Sequence, residues 1–220
     1  MVLSESRFII RLVTSPYARS IYLASRSPRR RELLAQFGTP FHLLLFRARP
    51  DASAELSEDA QPGESPGDYV LRVAQEKALS GWSRMLQRRL PHAPVLAADT
   101  TVALESRILG KPADRGEAVE ILTALSGKRH QVLTAVALKY EEHLESALST
   151  SEVLFRELSP QEVRDYAASG ECDDKAGAYA IQGRAGRFVV ELRGSYSGVM
   201  GLPLYETAEL LAAHERRNPH

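Results

Sequence analysis

Five places along the chain carry side chains whose types and spacing suit phosphate chemistry. The first is Ser25-Arg26-Ser27-Pro28-Arg29-Arg30, which follows a short apolar run and opens a helix. Free backbone N–H groups and the positive end of the helix dipole meet at such a start, and both favour an anion. The hydroxyls of Ser25 and Ser27 and the guanidiniums of Arg29 and Arg30 add donors that match phosphate oxygens. By capping chemistry alone, an ordinary helix cap with solvated arginines is an equal reading. The second is Lys77, seven residues after Val70 and four after Val73, hence on the apolar stripe of its helix with Tyr69, Ala74 and Ala78. An ammonium on an inward face must find a partner or snorkel to water. The third is Asp99, in the middle of Val95–Leu104, sharing one strand face with Ala97, Thr101 and Ala103. A carboxylate among small side chains needs a cation, a metal or hydrogen-bond donors, and a structural ion pair would also satisfy it.

The fourth is Lys111 in Gly110-Lys111-Pro112, just past a hairpin; taken alone this is an exposed turn lysine, and no GxxxxGK[ST] phosphate loop exists. The last is the run from Lys175 to Gly183, too small and glycine-rich for a plain strand. Such a segment lets a ligand approach the backbone, or packs as a tight loop. Its Gln182 offers an acceptor and donors together, which suits a nucleobase. Two arginines, two lysines and an acid make the inventory of a phosphate site.

The elements that must position these residues alternate between strand and helix, so the fold class is α/β. Strands are expected at Ile21–Ala24, Phe41–Phe46, Val95–Leu104, Arg107–Leu109, Gln131–Tyr140, Ser146–Arg156 and Phe188–Leu192. Helices are expected from Ser27-Pro28 to a stop at Gly38, from Ser65 to about Leu90, from Asp114 to Gly127, from Ser159 to Ser169-Gly170, and after Leu202-Pro203. Arg47–Gly67 is polar and long for a loop in a compact domain, hence functional or mobile. Residues 1–20 form an N-terminal extension expected to be flexible, 21–213 one domain, and 214–220 a tail that frays from Glu215 onward.

Composition narrows the class. Lys plus Arg number 28 and Asp plus Glu 28, a balance that argues against nucleic acid as a partner. The lone cysteine, Cys172, forms no internal disulfide and no CxxC motif, which points to a reducing, cytoplasmic home. No apolar run approaches the roughly 20 residues of a membrane span, so no membrane association is expected. Met1–Ser20 lacks the zones of a secretory signal, and an extension is favoured over an organelle-targeting segment.

The string from Leu23 to Leu34 (LASRSPRRRELL) closely resembles the opening signature of the Maf family, the septum-formation-inhibitor-like proteins. Further blocks follow in order: Tyr69–Ala78, Ala98-Asp99-Thr100, Gly110-Lys111-Pro112, Leu125–His130 through Thr134, Asp174–Gly183 and Gly201-Leu202-Pro203-Leu204. The resemblance spans about Ile21–Leu211. It implies a nucleoside triphosphate pyrophosphatase that cuts between the α- and β-phosphates with help from a divalent cation, magnesium or manganese. It also implies an elongated mixed sheet flanked by helices, two lobes around a basic cleft, a likeness to inosine-triphosphate pyrophosphatases, and a homodimer.

Residue by residue, the resemblance makes Asp99, Lys77 and Lys111 catalytic and places Ser25, Ser27, Arg29 and Arg30 on the substrate. It puts a cation on Asp99 and a loop acid, with Glu58 first and Asp51 competing, because the loop is longer than usual and Ser57 stands where many members have Asp. Members preferring dTTP and UTP carry Arg in the first motif, Thr after the central Asp, and Gln in Ile-Gln-Gly; this chain has Arg29, Thr100 and Gln182. The 7-methyl-GTP subtype has an aromatic residue, Gln and Glu at those places. Tyr196-Ser197-Gly198-Val199 departs from the bulkier residues usual before Gly-Leu-Pro-Leu. A regulator of septum formation acting by binding is the alternative, and the intact lysines and Asp99 argue against it.

Overall fold

The computed structural model describes residues 20–45 and 59–218. The expectations for residues 1–19, for Phe46 and for the loop acids Asp51 and Glu58 fall outside the described residues.

Helices and strands alternate as the sequence predicts. In chain order they are β1 (Ile21–Leu23), α1 (Pro28–Phe37), β2 (Phe41–Leu43), α2 (Pro66–Gln87), β3 (Val95–Leu104), β4 (Arg107–Leu109), α3 (Arg115–Leu125), β5 (Arg129–Tyr140) and β6 (His143–Phe155). Then come α4 (Pro160–Ala168), 3-10 turns at Ala176–Ala178 and Arg184–Phe188, β7 (Val189–Arg193), α5 (Tyr196–Met200) and α6 (Leu204–Arg217). The seven strands form one mixed sheet in the order β2-β1-β3-β5-β6-β7, with β4 also on β3. β1 is parallel to β2 and β3, and the remaining pairs are antiparallel.

Helix starts follow local chemistry. Ser27, Ser65, Asp114 and Ser159 each accept a hydrogen bond from the backbone N–H three residues on, and Pro follows at three of the four. Only Ser159 completes the reciprocal box, with the Glu162 carboxylate accepting from the Ser159 N–H at 3.0 Å. Gly38 ends α1 at φ 84°, a left-handed conformation in which glycine carries no Cβ penalty.

The core lies on both faces of the sheet. On one, α2 lays Val70, Ala74, Ala78, Trp82 and Met85 over Ala97, Ala103, Leu133, Ala135 and Ala137. The sheet side of this contact is mostly alanine, so the helix sits close. A Cβ added at Gly81 would lie 2.8 Å from Val95 Cγ1 and 3.0 Å from Ala24 Cβ, which explains a glycine in a helix interior. On the opposite face, Leu33 and Leu34 of α1 and Leu210 and Leu211 of α6 cover Leu96, Ala98, Val136 and Leu138. Burying such leucines contributes about 1.5–3 kcal/mol each. A third cluster joins α3, α4 and the 3-10 turns through Leu122, Leu125, Phe155, Tyr166, Tyr179 and Phe188.

The structure differs from expectation at several ends. β5 and β6 begin earlier, at Arg129 and His143, because their pairing extends from Arg129↔Leu154 at one end to Tyr140↔His143 at the other, beside a tight turn with Glu141 at φ 47°. Phe188 belongs to a 3-10 turn rather than to β7. The tail from Glu215 does not fray at once: α6 runs to Arg217, whose guanidinium pairs with Glu145 on β6, and the Asn218 side chain donates to the His214 carbonyl at 3.0 Å. The short α5, capped by Ser195 accepting from Gly198 N–H at 3.0 Å, had no counterpart in the sequence reading.

Candidate functional site

The sheet has an interruption, and the chemistry gathers there. β1 pairs with β3 only at Val95 and Leu96, while β4 pairs with the same edge from Val102 onward. β5 covers the opposite edge from Val95 to Ala103. Residues 97–101 of β3 therefore have one edge that no strand among the described residues covers. Ala24 N–H donates to Leu96 O at 2.9 Å, so by strand alternation Ala98 and Thr100 turn their backbone N–H and C=O toward this gap. The chain leaves β1 into the start of α1 on one side. On the other, β4 leads into Gly110-Lys111-Pro112.

Asp99 and Lys77 meet below the gap. Lys77 Nζ lies 2.7 Å from Asp99 Oδ1, with the two side chains 18% and 11% exposed. The inward lysine and the mid-strand acid are thus each other's partner, brought into reach by the close seat of α2 on its alanine floor. Asp99 Oδ2 makes no hydrogen bond among the described residues.

Above the gap, on the other face of β3, stands Thr100. Arg30 Nη2 donates to Thr100 Oγ1 at 3.1 Å, and Arg30 Nε donates to Gly201 O at 2.7 Å. Thr134, directly across the strand pair from Thr100, places its Oγ1 3.0 Å from Thr100 Oγ1 and 2.8 Å from Gly198 O. Arg30 thus ties α1 to β3 and to the end of α5. Arg29 instead pairs with Glu32 at 2.9 Å on the exposed face of α1. Exposed pairs at that spacing contribute a few tenths of a kcal/mol, so Arg29 is held only lightly.

At the start of α1, the buried Ser25 accepts from Ser27 N–H at 3.2 Å, and Ser27 Oγ accepts from Arg30 N–H at 3.4 Å. Pro28 has no N–H, and Arg29 N–H at the helix start meets no acceptor among the described residues. Lys111 is exposed.

The segment 175–183 closes the β4 side. Gly177 N–H donates to Gly110 O at 3.0 Å, and at φ 68° a Cβ there would lie 2.7 Å from Val102 Cγ2. Tyr179 Oη lies 2.9 Å from His130 Nε2 on β5. Burial pushes the His130 pKa down to about 4 and raises that of the Tyr179 hydroxyl, so both are neutral at pH 7. Gln182, half-buried between these anchors and the second 3-10 turn, makes no hydrogen bond to Asp99, Thr100 or Lys77 among the described residues. A separate hollow of about 650 Å³, lined by Asp165, Tyr166, Gly183, Arg184, Gly186 and Arg187, shares only Gly183 with the segments that carry the site residues.

The structure therefore joins Lys77 to Asp99 and Arg30 to Thr100, and it sets Ser25, Ser27 and Arg29 at one lip and Lys111 at the other. Thr134 stands in the sequence only at the end of a family-like block; its own signal is a hydroxyl amid the apolar residues of β5. For a divalent cation the fit is partial but chemically sound. Among the described residues no three metal-ligating side chains cluster. Magnesium asks only one or two carboxylates, with phosphate oxygens and water completing the shell, and Asp99 Oδ2 is available.

Comparison with known proteins decides the family. The sequence matches the family described as Maf-like protein over residues 20–214, nearly the whole described chain.

The chain belongs to the Maf family.

Its Maf relatives include the dTTP/UTP pyrophosphatase of Nitrosomonas europaea, 55% identical over 90% of this chain and 95% of that protein. Those of Dechloromonas aromatica and Aromatoleum aromaticum are each also 55% identical, over 87% and 89% of this chain and 95% and 96% of theirs. Among solved structures, the Staphylococcus aureus Ham1 protein aligns over 91% of this chain and 100% of its own, at a TM-score of 0.44 and 13% identity, a likeness too slight to carry an argument. No helix among the described residues is long and apolar enough to cross a membrane.

Proposed function

We propose that this Maf protein hydrolyses dTTP and UTP to the monophosphate and pyrophosphate, cutting between the α- and β-phosphates at the uncovered edge of β3. The observation that carries the reading is the Lys77–Asp99 pair, 2.7 Å apart and nearly enclosed, beside a helix start that has a backbone donor to spare. Relatives more than half identical over most of their length are named for this activity.

The triphosphate lies across the gap. Ser25, Ser27, Arg29 and the start of α1 take its oxygens from one lip, and Lys111 from the other. Lys77 exchanges its bond with Asp99 for phosphate as the substrate enters. That frees Asp99 to accept a proton from the attacking water. Lysines fixed in place stabilise charge on the leaving pyrophosphate in the transition state, an effect of a few kcal/mol per donor. A divalent cation, magnesium or manganese, would be held by Asp99 and would supply neutralisation of the triphosphate. Thr100 and Gln182 face the base. The same reading takes the protein as a cytoplasmic homodimer; a solution mass near that of the 24.3 kDa chain would remove the dimer.

The test is turnover of dTTP, UTP, CTP, GTP, ITP and 7-methyl-GTP with magnesium or manganese, assayed for pyrophosphate against orthophosphate. Pyrophosphate released mainly from dTTP and UTP is expected. Orthophosphate as the first product would refute the position of the cut. Preference for another nucleotide would refute the base reading while leaving the chemistry.

A further inference from the structure

Two side chains of the α4 end bracket the turn that carries Gln182. Gly183 N–H donates to Ala180 O at 3.0 Å and closes the turn Ala180-Ile181-Gln182-Gly183. Ala180 N–H, at its entry, donates to the hydroxyl of the buried Tyr166 at 3.1 Å. Arg184 N–H, just past its exit, donates to Glu171 Oε1 at 2.7 Å. A carboxylate oxygen only accepts, so the Tyr166 hydroxyl, with Ala180 N–H on one lone pair, donates to the same Glu171 oxygen at 3.3 Å. Burial raises the Tyr166 pKa, which keeps that hydrogen in place at neutral pH. The end of α4 delivers Glu171 to this point through Gly170, at φ 75°, and Ser169, whose Oγ accepts Glu171 N–H at 3.3 Å. Gly183 leaves room for the carboxylate. Its φ of −103° lies outside the left-handed region, so the glycine answers to space: a Cβ there would overlap Glu171 Oε1 and lie 2.6 Å from Glu171 Cδ.

We propose that Glu171 is a positioning residue: its carboxylate, shared between Arg184 N–H and the Tyr166 hydroxyl, fixes the turn on which Gln182 stands and so sets the affinity for the base without touching the substrate. An amide that recognises a base must be held within about 0.5 Å of its place. Gly177 and Tyr179 anchor the beginning of the segment, on Gly110 O and on His130. Tyr166 and Glu171 hold the backbone on the two sides of Gln182 itself. A glutamate that served only to cement α4 to the following 3-10 turn would affect stability and leave the contribution of the base unchanged. The inference rests on the reading of Gln182 as a base contact, and the experiment separates the two.

The full chain is assayed for kcat/KM with UTP and with a ribose triphosphate lacking the base, as wild type, Glu171→Ala, Glu171→Gln, Gln182→Ala and the double variant of Glu171→Ala with Gln182→Ala. The ratio of the two substrates isolates the base. It should fall on the order of tenfold in Glu171→Ala, which takes the acceptor from two donors, and return in Glu171→Gln, whose amide oxygen accepts from both. In the Gln182→Ala background, Glu171→Ala should lower it no further, as expected of residues acting through one contact, and a further fall there overturns the proposal. A wild-type ratio in Glu171→Ala alongside a lowered one in Gln182→Ala overturns the positioning role alone. An unaltered ratio in Gln182→Ala removes Gln182 from base reading, and the proposal with it. Should Glu171→Ala fail to fold, Gly183→Ala displaces the same carboxylate with a Cβ: a lowered ratio supports the proposal and a wild-type ratio overturns it.

Discussion

His130 gives the structure a pH dependence whose size follows from its burial. The ring is 2% exposed, between Phe155 and Tyr179 at centroid distances of 4.9 and 5.5 Å, and burial depresses its pKa from 6.5 to about 4. The folded protein holds it neutral, whereas the unfolded chain takes up its proton near pH 6.5. Its contribution is therefore complete above pH 6.5 and is lost as pH falls toward 4. At about 1.4 kcal/mol per pH unit, the loss across that window is about 3 kcal/mol, or roughly 6–12 °C in Tm for a chain of this size. The carboxylates of Glu64 and Glu162, held near 2 by arginine partners, lose their contributions only as pH falls below about 4.5, so the windows separate. Thermal melts from pH 8 to 4 on wild type and His130→Gln isolate the effect. The glutamine keeps an amide for the Tyr179 hydroxyl and cannot titrate in this range. At pH 8 the variant should be less stable by about 1–3 kcal/mol, from two lost edge-to-face contacts. Toward pH 4 that deficit should vanish. Parallel curves for the two proteins between pH 6.5 and 4 would refute the neutral, buried histidine. Because Tyr179 anchors the segment bearing Gln182, the same variant should also raise KM for UTP.

Three further outcomes follow from the geometry. Asp99→Asn should lower kcat by about 10²–10⁴ while the protein still folds, since the asparagine keeps an oxygen that can accept from Lys77; a near-normal rate would end the assignment of Asp99 as base. Gly177→Ala combines a φ of 68° with a Cβ 2.7 Å from Val102, so it should cost about 2–4 kcal/mol by denaturant unfolding and weaken turnover with it. Gln182→Glu should erode the preference for UTP over 7-methyl-GTP in a direct competition assay, and an unchanged profile would remove Gln182 from the base.

Helix starts were legible because their causes are local. Ser27, Ser65, Asp114 and Ser159 cap helices through bonds spanning three residues. The alternation of β3 likewise put Asp99 on a face of small residues, and the period of α2 put Lys77 on its inward stripe. Each was visible as a charge that needed a partner. Neither pattern named that partner, because Lys77 and Asp99 are joined by the seat of a helix on a sheet. The short α5 escaped notice because five residues give too little periodicity to detect, even though its Ser195 cap is local; the bonds that hold it in place come from Ser151 and Thr134 on other strands.

The sequence by itself determined the order of elements, the charged groups that could not be left alone, and the family. The tertiary structure decided where those groups meet. β1 enters parallel to β3 and leaves after Leu96, β4 returns only at Val102, and the bare edge between them exists in no single segment. Which arginine turns inward was settled by the carbonyl of Gly201, 171 residues away along the chain from Arg30. Hydrogen-bond direction depends on every neighbour within 3 Å or so, and those neighbours are chosen by the packing of the sheet.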